Sequence, residues 1–117
     1  MKSQSLTNQT AIIDKFVDAY NSGDARAFAN FFKPDVAVYD HPDMLVQKSR
    51  NEIFDYYEKL FKEFPLNRTE VLHRIVIGDH VIDHERVRRR PDGEPFEVLA
   101  IYAMRDGLIE RLDFIRK

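Results

Sequence analysis

The chain has 117 residues, with 18 Lys or Arg against 20 Asp or Glu and a formal charge of −2 with histidines neutral. That is the length of one domain, and its balanced charge excludes a general nucleic-acid binder, which needs a cationic surface to displace phosphate counterions. With 44% hydrophobic and 12% aromatic residues it can build a core unaided, while the absence of cysteine excludes disulfides, thiolate catalysis and Cys-ligated zinc or iron-sulfur centres.

The N-terminal run Met1-Lys2-Ser3-Gln4-Ser5-Leu6-Thr7-Asn8 carries no apolar stretch of the kind that exports a chain. No apolar run approaches the roughly 20 residues that a bilayer requires, so no membrane association and a cytoplasmic location are expected. Ile12, Ile13, Phe16, Val17 and Tyr20 follow helical spacing, with Thr7, Asn8 or Thr10 as possible caps and Gly23 as terminator. Asp24 then caps a short second helix through Phe28, Phe31 and Phe32, stopped by Pro34. A short strand is predicted over 36–39, followed by the polar loop Asp40-His41-Pro42-Asp43. Ser49 and Glu52 form a capping box that opens a third helix carrying Ile53, Tyr57, Leu60, Phe61 and Phe64 on one stripe, closed by Pro65.

Beyond Pro65 the period changes to that of strands. Reversals at Gly78-Asp79, Pro91-Asp92-Gly93-Glu94 and Asp106-Gly107 divide the segment into an antiparallel meander over roughly 69–77, 80–89, 96–105 and 108–116. The strand from Phe96 to Met104 is apolar on both alternating faces, which predicts helices on one side and a second copy of the sheet, hence a homodimer, on the other.

Several stretches resemble a known superfamily. Phe16-Val17-Asp18-Ala19-Tyr20-Asn21-Ser22-Gly23-Asp24, then Phe31-Phe32, Asp35, Val38 and Asp40, and late in the chain Asp106-Gly107-Leu108-Ile109, resemble the SnoaL-like and ketosteroid isomerase-like branch of the nuclear transport factor 2-like proteins. The resemblance implies an α+β cone, with three N-terminal helices packed on a curved, mainly antiparallel sheet. It also implies acid-base chemistry, as isomerase, cyclase or hydrolase, on a small apolar or weakly anionic molecule bearing oxygen; the alternative is a noncatalytic binding or dimeric accessory protein of the same fold. The general base of the isomerases falls on Asp40, whereas their tyrosine and protonated aspartate donors fall on Phe16 and about Ala100, neither of which can donate to an oxyanion. The epoxide hydrolase pattern is matched by the arginine of Arg86-Val87-Arg88 and by Asp113, but Arg88 stands where that pattern has an aspartate.

These matches and the local chemistry give a candidate set. Asp40, Arg86 and Asp113 are the expected catalytic residues, and His41, Phe16, Tyr57, His84 and Tyr102 the expected substrate contacts. Asp40-His41 pairs a carboxylate with an imidazole able to work near neutral pH, although it also reads as an Asx turn closed by Pro42. Strand parity puts His84, Arg86 and Arg88 on one face and Asp83, Glu85 and Val87 on the other; His84 and Arg86 are expected inside, with Arg86 paired to Asp113. Arg88, Arg89 and Arg90 approach a turn and are expected at the surface. His80 and His84 lie about 13 Å apart on a strand, too far to share a metal, and no fingerprint of a nucleotide, flavin or metal cofactor is present.

Overall fold

A computed structural model describes residues 2–116. In chain order it comprises α1 (Lys2–Ser22), α2 (Ala25–Ala29), β1 (Phe32–Asp40), β2 (Met44–Gln47), α3 (Arg50–Glu63), β3 (Arg68–Ile77), β4 (His80–Arg88), β5 (Phe96–Arg105) and β6 (Leu108–Arg116). The strands form one curved sheet in the order β2-β1-β6-β5-β4-β3, antiparallel except for the parallel pair β1 and β6. The helices cover its inner face.

Local chemistry accounts for most boundaries. Gly23 takes φ +73, the left-handed conformation that lets α1 end, and its N–H donates to Tyr20 O. Asp24 accepts from Ala27 N at 3.0 Å and so starts α2. Ser49 accepts from Glu52 N at 3.1 Å, while Glu52 reaches back to Lys48 N at 3.0 Å, one residue before the usual capping-box partner. The meander strands agree with the sequence reading to within a residue at each end.

Three boundaries differ from it. The helical hydrogen bonds of α1 begin at Lys2, so Thr7, Asn8 and Thr10 lie inside the helix rather than capping it. The second helix stops at Ala29, and Phe32 opens β1; Pro34 is accommodated where the β1–β6 register shifts between Phe32 and Ala37, since proline cannot complete a regular ladder. The short exposed strand β2 has no clear alternation and was not expected.

Register sets out four rows across the inner face, and Met104, Ile109 and Phe32 make a fifth beyond the register shifts. Thr69, Val87 and Phe96 form the outermost; Val71, Glu85, Val98 and Arg116 the next; Arg74, Asp83, Ala100, Phe114 and Asp40 the third; Val76, Val81, Tyr102, Leu112 and Val38 the fourth. Helix residues Ile13, Phe16, Phe28, Ile53, Tyr57 and Phe61 close over these rows to make the core. Aromatic edges do much of the packing: Phe16 stacks on Phe28 with centroids 4.6 Å apart and meets Phe32 and Tyr102 edge-on at 5.4 Å.

Candidate functional site

Two buried acids stand two residues apart on the inner face of β4. Asp83 is fully buried and receives Arg74 Nε at 2.6 Å and Nη2 at 2.9 Å, while Arg74 Nη1 also donates to Asp14 of α1 at 2.6 Å. The Arg74 fork matches the buried carboxylate, and these bonds push the guanidinium pKa still higher. Asp83 therefore has a dedicated cation.

Glu85 has none. Its partners are hydroxyls: Tyr102 Oη lies 3.0 Å from Oε2 and Thr69 Oγ1 lies 3.1 Å from Oε1. Burial raises its carboxyl from the usual 4.5 to about 7, aided by the neighbouring Asp83 charge and opposed by the two hydroxyl bonds and by Arg74. A carboxyl so placed exchanges its proton near neutral pH. Burial raises Tyr102 well above its ordinary value, with the Glu85 charge adding to the effect, so Tyr102 remains a phenol and a donor. Thr69 is itself fixed by α1, because Asn21 Nδ2 donates to Thr69 O at 3.0 Å and Asn21 Oδ1 accepts from Thr69 N at 2.8 Å.

Glu85, Tyr102 and Thr69 line a cavity between the helices and the sheet, walled by Phe16, Tyr20, Phe28 and Tyr57 and reaching the surface past Tyr56, Arg89 and Arg116. Its free interior is about 50 Å³, room for a few waters, within a recess of about 580 Å³ that includes the open mouth. A second recess, lined by Asp40, Gln47 and the same Tyr56, Tyr57 and Arg116, adjoins that mouth.

The sequence-derived candidates divide accordingly. Phe16, Tyr57 and Tyr102 line the cavity. Asp40 stands in the third inner row at the adjoining recess, where it accepts from Arg116 Nε at 3.1 Å. His41 lies in the exposed turn after β1, beyond the cavity wall.

The expected inward orientation of His84 and Arg86 is corrected. Both project from the outer face of β4: His84 bonds Glu97 and stacks on His73 with centroids 5.4 Å apart, and Arg86 Nη1 donates to Glu70 Oε1 at 3.3 Å. Val81 and Val87 fix this orientation, for burying them carries Asp83 and Glu85 inward with them. Asp113 is corrected too. Leu112 and Phe114 point inward, which turns Asp113 to the outer face, where Arg111 Nε donates to it at 3.0 Å. Arg86 and Asp113 thus pair with other residues on the outside of the sheet. Arg89, expected at the surface, is half-buried at the cavity mouth.

Residues 13–112 match the model of the SnoaL-like domain. The chain belongs to the SnoaL-like family. Solved structures of the same shape include an uncharacterized cystatin-fold protein from Novosphingobium aromaticivorans, 24% identical, with 92% of this chain and 97% of that one covered and a TM-score of 0.84. A candidate polyketide cyclase from Sinorhizobium meliloti is 25% identical over 89% of this chain and 93% of that one, with a TM-score of 0.75. A candidate ketosteroid isomerase from Kribbella flavida is 18% identical over 96% and 79%, with a TM-score of 0.78. Curated protein sequences give no match.

In this SnoaL-like chain the positions of the isomerase donors, Phe16 and Ala100, are apolar, yet the cavity is not without donors. Tyr102 stands two residues along β5 from Ala100 on the same face, and Glu85 faces it from β4. Sequence reasoning passed over Glu85, although it shares parity with Val81 and Val87, the residues that mark the inner face. Among the described residues no group of three or more His, Asp or Glu is placed to hold a metal ion.

Proposed function

We propose that this SnoaL-like protein is an enzyme that moves a proton on a small, largely apolar molecule carrying an oxygen function, with Glu85 as the proton-transferring group. The observation that carries the proposal is the Glu85 carboxyl buried in an aromatic cavity and held by the hydroxyls of Tyr102 and Thr69. As a carboxylate, Glu85 accepts a proton from a carbon beside a carbonyl; as an acid, it returns that proton to the same or a neighbouring carbon. Tyr102 supplies a hydrogen bond to oxygen during the transfer. Proton return at a different carbon isomerises the substrate, and attack of the carbanion on an internal carbonyl cyclises it. Asp40 has a supporting role in this proposal, holding Arg116 at the mouth.

A binding protein is the second reading, favoured by the closely packed aromatic walls and small free interior. Deuterium exchange at the α-carbon of cyclohexanone in D₂O separates the two. The wild type should accelerate exchange above the buffer rate, and Glu85→Gln should return it to that rate. Equal exchange by the wild type and the variant would remove Glu85 from the chemistry.

A further inference from the structure

The polar groups of the cavity lie at its two ends. Inside are the Glu85 carboxyl and the Tyr102 hydroxyl, and at the mouth is Arg89, just beyond the end of β4. Arg89 Nη1 donates to Tyr20 Oη at 3.0 Å and to Asn67 Oδ1 at 2.9 Å, and its guanidinium carbon lies 5.0 Å from the Phe96 ring centroid. These partners are neutral; they orient the cation without cancelling its charge. Asn67 is only 2% exposed, and with its carbonyl engaged by Arg89 its Nδ2 has no hydrogen-bond partner among the described residues. Asn67 is not part of the cavity lining, so it serves to hold Arg89 in place. Arg116, the other cation at the mouth, is already paired with Asp40 and packed over Phe114, so Arg89 is the main receptor for an incoming anion.

Spacing limits what can bridge the two ends. Four residues separate Glu85 from Arg89, so their Cα atoms stand about 13 Å apart along extended chain, and both side chains reach from there into the same cavity. A six-membered ring with an oxygen substituent at each end is shorter than that spacing, as a molecule held between two inward-reaching side chains must be. The intervening walls are aromatic and suit a ring face.

We propose that the recess, its interior together with the open mouth, takes a single-ring carboxylic acid, oriented with its carboxylate on Arg89 at the mouth and a second oxygen function at Glu85 and Tyr102 inside. The orientation of the ring rests on the reading of Glu85 as the proton-transferring group, whereas the carboxylate site stands on Arg89.

The test is titration of the protein with 4-hydroxybenzoate and with its neutral counterpart 4-hydroxybenzamide, followed by NMR. The wild type should bind the carboxylate at least tenfold more tightly. Arg89→Met should bring the two within about twofold of each other, and Glu85→Gln, which leaves the guanidinium in place, should retain the preference. Equal affinities in the wild type, or no saturable binding of the carboxylate, overturn the proposal without need of any variant. An unchanged preference in a correctly folded Arg89→Met overturns it as well. If ketone exchange through Glu85 is observed but the preference is absent, the anion site alone falls. If the preference is present but exchange is not, the proton-transfer reading falls and the carboxylate site stands.

Discussion

Replacing Glu85 by Gln should make the protein more stable in a manner that depends strongly on pH. Gln has nearly the shape of a protonated Glu, and the Thr69 and Tyr102 hydroxyls can rotate to serve it, so the variant resembles the wild type with the proton fixed in place. The folded-state carboxyl titrates near 7 instead of 4.5, so between those values the native state binds more protons than the unfolded chain. Stability linked to Glu85 is therefore fully present below about pH 4.5 and is lost as pH rises through about 7. With one pKa unit equivalent to about 1.4 kcal/mol, the loss relative to Glu85→Gln is near zero at about pH 4, ~2 kcal/mol at about pH 6 and ~3 kcal/mol at about pH 8. Urea denaturation of both proteins across that range measures the difference directly, and all other titrating groups cancel to first order. A constant offset between the two, or a wild type that gains on the variant as pH rises, would refute the reasoning and return Glu85 to the status of an ordinary carboxylate.

Two further predictions concern the rest of the sheet. Arg74→Met should destabilise the protein by ~3–5 kcal/mol, because it leaves the fully buried Asp83 charge unpaired, and adding Asp83→Asn should recover much of that loss. Chemical denaturation of the single and double variants checks both, and a loss below about 1 kcal/mol would show that Asp83 finds another way to be satisfied. On the outer face, Ile75, Ile82 and Ile101 form one row and Leu99 and Ile115 meet in the next, with no layer of the described residues above them. We propose that a second copy covers them: light scattering should give a dimer at micromolar concentration and Ile101→Glu a monomer, whereas a monomeric wild type would end the idea.

The fold was legible because its signals are local and repeated. Gly23, Asp24, Ser49 and the Gly78, Gly93 and Gly107 reversals mark boundaries through backbone and capping chemistry, which does not depend on distant partners. Phe32 shows where this fails: its aromatic ring suits the second helix and the following strand equally, and pairing with Ile109 of β6, remote in sequence, decides the outcome. The site was harder to read. Phe16, Tyr57 and Tyr102 could be assigned to the cavity because wall and core are the same residues in this architecture. The polar members required knowing which face of β4 is buried, and there two valines outweighed an arginine and a histidine. Arg86 and His84 find carboxylates on the exterior at little desolvation cost, through Glu70 and Glu97, so they need not face a ligand. Thr69 and Asn21 could not be paired from sequence at all, since 48 residues separate them.

Two carboxylates on one strand face, with Arg74 joining α1 to one of them, make proton occupancy a matter of allocation. Arg74 selects Asp83 as the permanently charged acid, and Glu85, refused a cation and placed near that fixed charge, becomes the one that can change state. The acid that carries the labile proton is thus designated from β3, the neighbouring strand. A relative with its arginine moved by one inward position along β3 could transfer the charged and the titrating roles between these two acids without altering either of them. Searches for corresponding active centres should follow the cation as closely as the carboxylates.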